Sequence, residues 1–249
     1  MNTDEGWDSE RFCKPPQTFG GRIITAWAHL FHFRVEHIWG GLRRCTRQNT
    51  MLIVIEGCVG AGKSTVAQGL AACRSSKLLL EDFERNPFLR AFYENPTENA
   101  TETEFAFLLL HFHQLKSQAD AASGSEVVAD FHLGKDLLYA DLNLKDTRAK
   151  RLFGELYELC LEKTPRPALM IFLSATTDLI VERIRARKRD FELEIDAGYY
   201  GLVNAAYEEY FTRYRGKKLR IPMDEWDFVK DPDLYKRLGS LVDGELNSK

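Results

Sequence analysis

The sequence predicts an α/β fold in three layers (α/β/α), in which a five-stranded parallel sheet is covered by helices on both faces. From residue 51 onward, short apolar runs alternate with longer helical patterns, as is typical of parallel strands joined by helical crossovers. A glycine-rich segment with the pattern of a phosphate-binding loop stands between the first run and the first helical pattern. Both observations place a single α/β domain at residues 51–249.

The elements follow in chain order from hydrophobic periodicity. Apolar runs predict strands at 51–56, 77–81, 126–131, 168–174 and 218–222. Helical spacing predicts helices at 63–74, 86–94, 102–121, 135–141, 147–163, 177–188, 194–214 and 231–242. The apolar stretch "FAFLLLHF" at 105–112 is shorter than the roughly 18 residues that a membrane span needs, so it is predicted to be a buried helix.

Residues 1–50 differ from the remainder and are assigned no fold. They begin polar and rich in turn formers, and then mix aromatic, histidine and arginine residues without a clean period. Early acids such as Asp4 and Glu5 argue against a transit peptide, which is poor in acids. Met51 directly precedes the first strand, so this extension is interpreted as disordered or as the product of a misplaced start site.

Composition restricts the class of partner. The chain has 249 residues, a formal net charge of −3 and 44% hydrophobic residues, as expected of a globular protein with a sizeable core. Because no basic stripe is visible, nucleic acid is not a predicted partner, whereas small anionic ligands are. A membrane is not a predicted partner either, because no apolar stretch is long enough to span it. The five cysteines lack CxxC spacing and favour a reducing compartment, interpreted as the cytoplasm.

The segment "GCVGAGKS" at 57–64 fits the phosphate-binding pattern G-x-x-x-x-G-K-[ST]. Its glycines let backbone N–H groups turn toward phosphate oxygens, Lys63 would reach the β- and γ-phosphates, and Ser64 offers a hydroxyl to Mg²⁺. ATP and Mg²⁺ are therefore the predicted cofactors. Cys58 is either redox-sensitive, if the helix N-terminus lowers its thiol pKa, or simply a small tolerated residue. The predicted nucleotide-binding residues are Gly57, Cys58, Val59, Gly60, Ala61, Gly62, Lys63, Ser64 and Thr65.

Two further segments carry candidate site residues. Glu81 ends the second apolar run, and ligands of open α/β sheets bind beyond the carboxyl ends of strands, so Glu81 is a candidate general base for an attacking hydroxyl. Arg183, Arg187 and Arg189 gather at the end of a predicted helix, which is repulsive unless an anion is bound. The alternatives are a solvated acid at the strand end and a solvated basic helix end that complements the helix dipole.

Together, "IEGCVGAGKST" at 55–65, the strand-end acid before "NPFLRAFYENP" and the arginine-rich helix end resemble the deoxynucleoside kinase family over roughly residues 51–240. The resemblance implies a P-loop NTPase fold with an arginine-rich lid, and ATP-dependent phosphorylation of the 5′-hydroxyl of a deoxynucleoside. It assigns Glu81 to the base and the three arginines to the transferring phosphoryl group. It also assigns Tyr93 and Glu192 to the sugar 3′-hydroxyl, and relatives of this kind are often homodimers.

The sequence departs from the family pattern at two places. A Gln and an Arg that line the base pocket in most of the family correspond here to Glu104 and His111, and an ionised carboxylate cannot donate a hydrogen bond as an amide does. The family's acid-Arg-Ser motif after the third strand is missing, because Ala129 and Asp130 stand there. Asp130 is interpreted either as a metal ligand through water or as a cap of the next turn.

Several interpretations stay open at this stage. Lys135 and Asp136 are further pocket candidates, and His111 and His113 point to different faces of one helix, which disfavours a shared metal site. A nucleoside monophosphate kinase, such as one for thymidylate, would share the loop and the arginines but would need a site for the acceptor phosphate. A nucleotide-binding regulatory protein without turnover is the second rival.

Overall fold

The computed structural model describes residues 50–121, 124–189 and 196–248. The predicted extension, apart from Thr50, lies outside these residues, and so does Glu192.

Five strands and eight α-helices alternate along the described part of the chain. The strands are β1 Met51–Glu56, β2 Lys77–Leu79, β3 Glu126–Ala129, β4 Pro167–Ser174 and β5 Lys218–Pro222. The helices are α1 Lys63–Arg74, α2 Leu89–Glu94, α3 Pro96–Ala121, α4 Leu133–Asn143, α5 Thr147–Leu161, α6 Thr177–Arg187, α7 Ala197–Arg213 and α8 Leu234–Asn247, and a short 3-10 helix spans Phe83–Arg85.

The strands form one parallel sheet in the order β2-β3-β1-β4-β5. β1 lies at the centre, where Val54 pairs with Ala129 of β3 and with Met170 of β4. Because the strands are parallel, β1, β2 and β3 all end at the same edge of the sheet. The phosphate loop, Glu81 and Asp130 follow those three strands and therefore meet at that edge.

Helices cover both faces of the sheet, so the predicted three-layer α/β/α fold is confirmed. Ile53 and Ile55 of β1 pack in a core with side chains of α1, α6, α7 and α8. Leu52 and Val54 face the opposite way, into a core with α3, α4 and α5. Burial on both faces explains why β1 is a continuous apolar run rather than an alternating one.

The element boundaries differ from the sequence-based expectation at the start of α3, which begins at Pro96 rather than at residue 102, and around the second strand. β2 ends at Leu79 because it is an edge strand that pairs only with the short β3, so Glu81 lies in a loop. The helix expected from residue 86 begins at Leu89, since Pro87 disfavours helical backbone at Asn86, which is extended. None of the helices in the described ranges combines the length and the apolar character that a membrane span requires.

Candidate active site

A cavity of about 810 Å³ lies at the edge of the sheet where β1, β2 and β3 end. The structure brings most of the predicted site residues to its wall. These are Val59, Gly60, Gly62, Lys63, Ser64, Thr65, Glu81, Tyr93, Glu104, Asp130, Arg183, Arg187 and Arg189.

The phosphate loop has the backbone that its glycines predict. Gly57, Gly60 and Gly62 have φ angles of 151°, 84° and 101°, a region that favours glycine. A Cβ atom on Gly60 would lie 2.9 Å from the carbonyl oxygen of Ile180, so the loop also packs too closely for a side chain there. Lys63 at the start of α1 curls over the loop, and its Nζ donates to the carbonyl oxygens of Gly57 at 2.8 Å and Cys58 at 3.2 Å.

Cys58 and Ala61 are fully buried and do not line the cavity, so any contact of theirs with a phosphate is through the backbone. Burial raises the pKa of the Cys58 thiol to about 12, and its Sγ–H donates to the carbonyl oxygen of Tyr200 at 3.9 Å. The structure therefore gives no support to a redox-sensitive thiol in this loop.

Asp130 connects the phosphate loop to Glu81. Its Oδ2 accepts a hydrogen bond from Ser64 Oγ at 2.5 Å, and its Oδ1 accepts one from the backbone N–H of Glu81 at 2.7 Å. It does not cap the turn that follows, since the side chain at the N-terminus of α4 is His132. Ser64 and Asp130, the two predicted metal ligands, thus stand side by side.

Glu81 is held between two cationic side chains. Its Oε2 lies 2.6 Å from Lys135 Nζ, and its Oε1 lies 3.1 Å from Nε2 of His111, whose Nδ1 lies 2.7 Å from Oδ1 of Asp136. Burial alone would raise the pKa of Glu81, but Lys135 and His111 reverse this and hold it far below its usual range. Burial alone would lower the pKa of His111, but Asp136 and Glu81 raise it to about 9. At neutral pH His111 is therefore an imidazolium that donates to both carboxylates.

The structure gives His111 a different place from the one that the family pattern suggests. Its side chain is 1% exposed and does not line the cavity. The ring stacks on Phe107 and packs against Phe131, with centroid distances of 5.3 and 4.9 Å. His111 thus supports Glu81 from behind the cavity wall and does not contact a ligand in the cavity directly.

The arginine cluster lies at the end of α6, and its first member contacts the phosphate loop. Arg183 of α6 donates from Nη1 to the carbonyl oxygen of Ala61 at 3.0 Å. α6 ends at Arg187, and the left-handed Lys188, with φ of 52°, turns the chain so that the Arg189 guanidinium lies 4.4 Å from the ring centroid of Phe83. The three arginines therefore reach the cavity from both sides of this turn.

Several cavity residues were not assigned a role from the sequence. Asn143 and Tyr199 hydrogen-bond next to Glu104, and Phe92, Phe107 and Tyr139 supply aromatic surface. Near the phosphate loop, Met223, Asp227, Phe228, Val229 and Lys230 line the cavity. These residues come from α2, α3, α4, α7 and the segment after β5, and no local sequence pattern links them, because only the packing of the helices brings them together.

The comparisons with known proteins agree with this geometry. The sequence profile of the family described as deoxynucleoside kinase matches residues 53–246. This chain belongs to the deoxynucleoside kinase family. The kinase is 29% identical over 197 residues to the deoxyguanosine kinase of Bacillus subtilis, covering 76% of this chain and 95% of the relative. It is 27% identical over 212 residues to the deoxyadenosine kinase of Lactobacillus acidophilus, covering 78% and 96%.

Solved structures show the same likeness. The deoxyadenosine kinase from M. mycoides with bound dCTP superposes with a TM-score of 0.65 at 25% identity, covering 80% of this chain and 100% of that one. The form of that enzyme with bound dATP gives a TM-score of 0.66, also at 25% identity.

Proposed function

We propose that this kinase transfers the γ-phosphoryl group of ATP to the 5′-hydroxyl of a deoxynucleoside and releases a deoxynucleoside monophosphate and ADP. The observation that carries this proposal is that the phosphate loop and Glu81 open into one cavity. Aromatic side chains beside Glu81 offer flat apolar surface for a nucleobase, as ligand pockets commonly do.

The nucleotide is bound at the phosphate loop. Backbone N–H groups and the N-terminus of α1 attract the phosphates, and Lys63 exchanges its two carbonyl acceptors for phosphate oxygens. The segment after β5, including Phe228 and Val229, supplies apolar surface near the loop for the adenine.

Ser64 and Asp130 fit Mg²⁺, which prefers oxygen ligands and usually takes one or two from the protein while phosphates and water complete the shell. No group of three or more His, Cys, Asp or Glu side chains suited to a metal occurs within the described ranges, which agrees with a site that the phosphates must complete. An ion held by Ser64 and Asp130 would neutralise charge on the phosphates of ATP.

In the reaction, the 5′-oxygen forms a bond to the γ-phosphorus, the bond from that phosphorus to the β–γ bridging oxygen breaks, and the hydroxyl proton passes to Glu81. The transition state is loose, so positioning the hydroxyl matters more than removing its proton early. A carboxylate has about four lone-pair sites, so Glu81 can accept from the hydroxyl while Lys135 and His111 hold it in place. Its low pKa favours a late proton transfer.

The other roles are proposed from the family resemblance, and position on the cavity wall supports those of the residues that the structure describes. Arg183, Arg187 and Arg189 stabilise charge on the transferring group. Tyr93 is assigned to the sugar 3′-hydroxyl, and Glu192 keeps the same assignment from the sequence alone. A homodimer and a cytoplasmic location remain predictions.

The first experiment measures ADP release by the full-length chain with Mg²⁺ and ATP. The acceptor panel contains four deoxynucleosides, their ribose counterparts and the corresponding monophosphates. We expect turnover with at least one deoxynucleoside. Turnover confined to monophosphates would favour the thymidylate-type rival, and ATP binding without any turnover would favour the regulatory rival.

Replacing Glu81 tests the assignment of the base. We expect Glu81→Gln to lower kcat by about 100-fold or more, since general-base catalysis is worth roughly that much, while ATP binding measured by calorimetry is retained. Asp82→Asn is the matched control, because Asp82 is an exposed neighbouring acid. Wild-type turnover by the Glu81→Gln variant would remove Glu81 from the mechanism.

A further inference from the structure

The loop after β2 carries an aromatic side chain that contacts the arginine cluster. Phe83 stands two residues after Glu81 and lines the cavity. The guanidinium carbon of Arg189 lies 4.4 Å from the centroid of its ring, well inside the distance of about 6 Å over which a cation is attracted to a ring face. Both side chains are partly buried. This contact joins the arginine cluster to the loop that holds the candidate base.

The start of this loop is fixed to α3 by one side-chain amide. Gln114 Nε2 donates to the carbonyl oxygen of Leu80 at 3.3 Å, and Gln114 Oε1 accepts from the backbone N–H of Asp82 at 3.4 Å. The amide thus pairs with the backbone groups on either side of Glu81, as a residue of a neighbouring parallel strand would. The backbone next to the candidate base is therefore held although β2 has already ended.

The end of the same loop is fixed to α3 as well. The side chain of Asn86 is buried, and its Nδ2 donates to the carbonyl oxygen of Thr103 at 3.0 Å. Phe83 lies between this anchor and the one at Gln114. Its ring is therefore carried by a segment of backbone that is tied to one helix at both ends.

The kind of contact suits an arginine that binds a phosphoryl group. A ring takes up the face of a guanidinium, whereas the N–H donors point outward in the plane, where they match the oxygens of a phosphate. Arg183 is held differently, since its Nη1 donates to the carbonyl oxygen of Ala61 in the phosphate loop. The two arginines are thus attached to different sides of the cavity: Arg183 to the phosphate loop and Arg189 to the loop of Glu81.

We propose that Phe83 is a positioning residue for phosphoryl transfer. Its ring holds the guanidinium of Arg189 on the acceptor side of the transferring group, beside Glu81, while Arg183 is held on the nucleotide side. The inference rests on the proposed function for the role of Arg189, and it adds the group that places this arginine.

The kinetic test measures kcat and the KM for ATP in variants of Phe83. Phe83→Leu keeps an apolar side chain but removes the ring, and we expect it to lower kcat by about 2- to 30-fold, the range that a cation–π pair covers, while the KM for ATP stays close to wild type. Phe83→Tyr keeps the ring and should restore kcat. Phe88→Leu is the control, because Phe88 is 39% exposed and does not line the cavity.

A double-mutant cycle separates this role from a general effect on the fold. In the Arg189→Met background, Phe83→Leu should no longer change kcat, because the two residues act through one contact. Effects of the two substitutions that simply add would overturn the proposal. An unchanged kcat in Phe83→Leu would overturn it too.

An NMR measurement tests the contact without turnover. In the unliganded full-length chain, the Nε–H resonance of Arg189 is assigned by its loss in Arg189→Lys. We expect this resonance to move downfield in Phe83→Leu, because protons over a ring face are shielded by the ring current, and to stay in place in Phe88→Leu. A resonance that does not move in Phe83→Leu would overturn the contact. The expected movement without ADP release from any deoxynucleoside would reject the proposed function and leave the contact in place.

Discussion

At the level of single residues, the buried carboxyl group of Glu56 beside the candidate active site lowers the stability of the fold when it is ionised. Glu56 ends β1 and has no exposed surface; Oε1 accepts from the backbone N–H of His132 at 2.9 Å, and Oε2 has no hydrogen-bond partner in the described part of the chain. Burial raises its pKa to about 7, although Lys135 and Lys63 pull it down. Its negative charge partly balances those lysines, of which Lys63 contacts the phosphate loop and Lys135 contacts Glu81.

The raised pKa of Glu56 predicts that its charge destabilises the fold at alkaline pH. The folded pKa of about 7 lies above the ordinary value of 4.5, so the folded state binds more protons and stability is lost as pH rises from 4.5 through 7. We expect Glu56→Gln to raise the free energy of unfolding at pH 8 by on the order of 1 to 3 kcal/mol. Urea denaturation at pH 8 and pH 5 checks this.

The difference in the free energy of unfolding between Glu56→Gln and wild type should shrink toward zero at pH 5, because Glu56 is protonated in the folded state there. The exposed Glu98→Gln serves as the control. A Glu56→Gln variant that is less stable than wild type at pH 8 would show that the charge of Glu56 stabilises its lysine neighbours by more than its burial costs.

At the level of elements, two helices that follow short loops, α1 and α4, position most of the polar groups of the candidate active site. α1 begins directly after Gly62, whose φ of 101° lets the chain turn into the helix beneath the phosphates. α4 begins soon after Asp130 and carries Lys135, Asp136 and Asn143, so one helix supplies partners to both Glu81 and Glu104. A shift of either helix would therefore move the phosphate loop, or the partners of Glu81 and Glu104, as a unit.

The glycine at position 60 offers a test at this scale. Its φ of 84° and the 2.9 Å approach to the Ile180 carbonyl oxygen exclude a side chain. We expect Gly60→Ala to weaken ATP binding by about 10-fold or more, since one tenfold step is about 1.4 kcal/mol and backbone strain costs of order 1 to 3 kcal/mol. Calorimetric titration with ATP measures the change.

The matched substitution is Gly154→Ala in α5, where a Cβ atom meets nothing within 4 Å. Removing a glycine from a helix interior should raise the free energy of unfolding by about 1 kcal/mol and leave ATP affinity unchanged. Equal ATP affinity in both variants would mean that the loop tolerates a side chain and that its glycine is not required.

On the scale of the whole molecule, a buried charged cluster joins three separate parts of the fold. Glu81 comes from the loop after β2, His111 from α3, and Lys135 and Asp136 from α4. Their contacts of 2.6 to 3.1 Å pair every charge in the cluster. Removing one member leaves the others buried without a partner, which is costly in a low-dielectric interior.

The pKa of His111 predicts how stability depends on pH. Its folded pKa of about 9 lies above the ordinary 6.5, so its contribution is fully present below pH 6.5 and is lost as pH rises through 9. We expect His111→Gln to lower the free energy of unfolding at pH 6.5 by about 3 kcal/mol, and the difference from wild type to decrease steadily toward pH 9. Urea denaturation at pH 6.5, 7.5 and 9 tests this.

His113→Gln on the same helix is the control, because His113 is exposed. If the difference in the free energy of unfolding between His111→Gln and wild type stays constant from pH 6.5 to 9, His111 is neutral in the folded state. The imidazolium assignment would then have to be withdrawn.

The sequence alone determined the features that depend on short-range pattern. The strands, the helices and the phosphate loop are local, since hydrophobic periodicity and glycine spacing specify them within a few residues, and the structure confirms them. The neighbourhood of the loop, Glu81 and Asp130 was also predictable, because parallel strands end at one edge of the sheet.

The tertiary structure decided what each of these groups contacts. His111 lies thirty residues from Glu81 in the chain, and only the packing of α3 beside the loop after β2 makes it a support for that carboxylate rather than part of the cavity wall. The link from Tyr199 through Asn143 to Glu104 likewise joins three helices that are distant in sequence. Such contacts, and the pKa values that burial gives them, depend on how helices pack across the sheet, which no local pattern encodes.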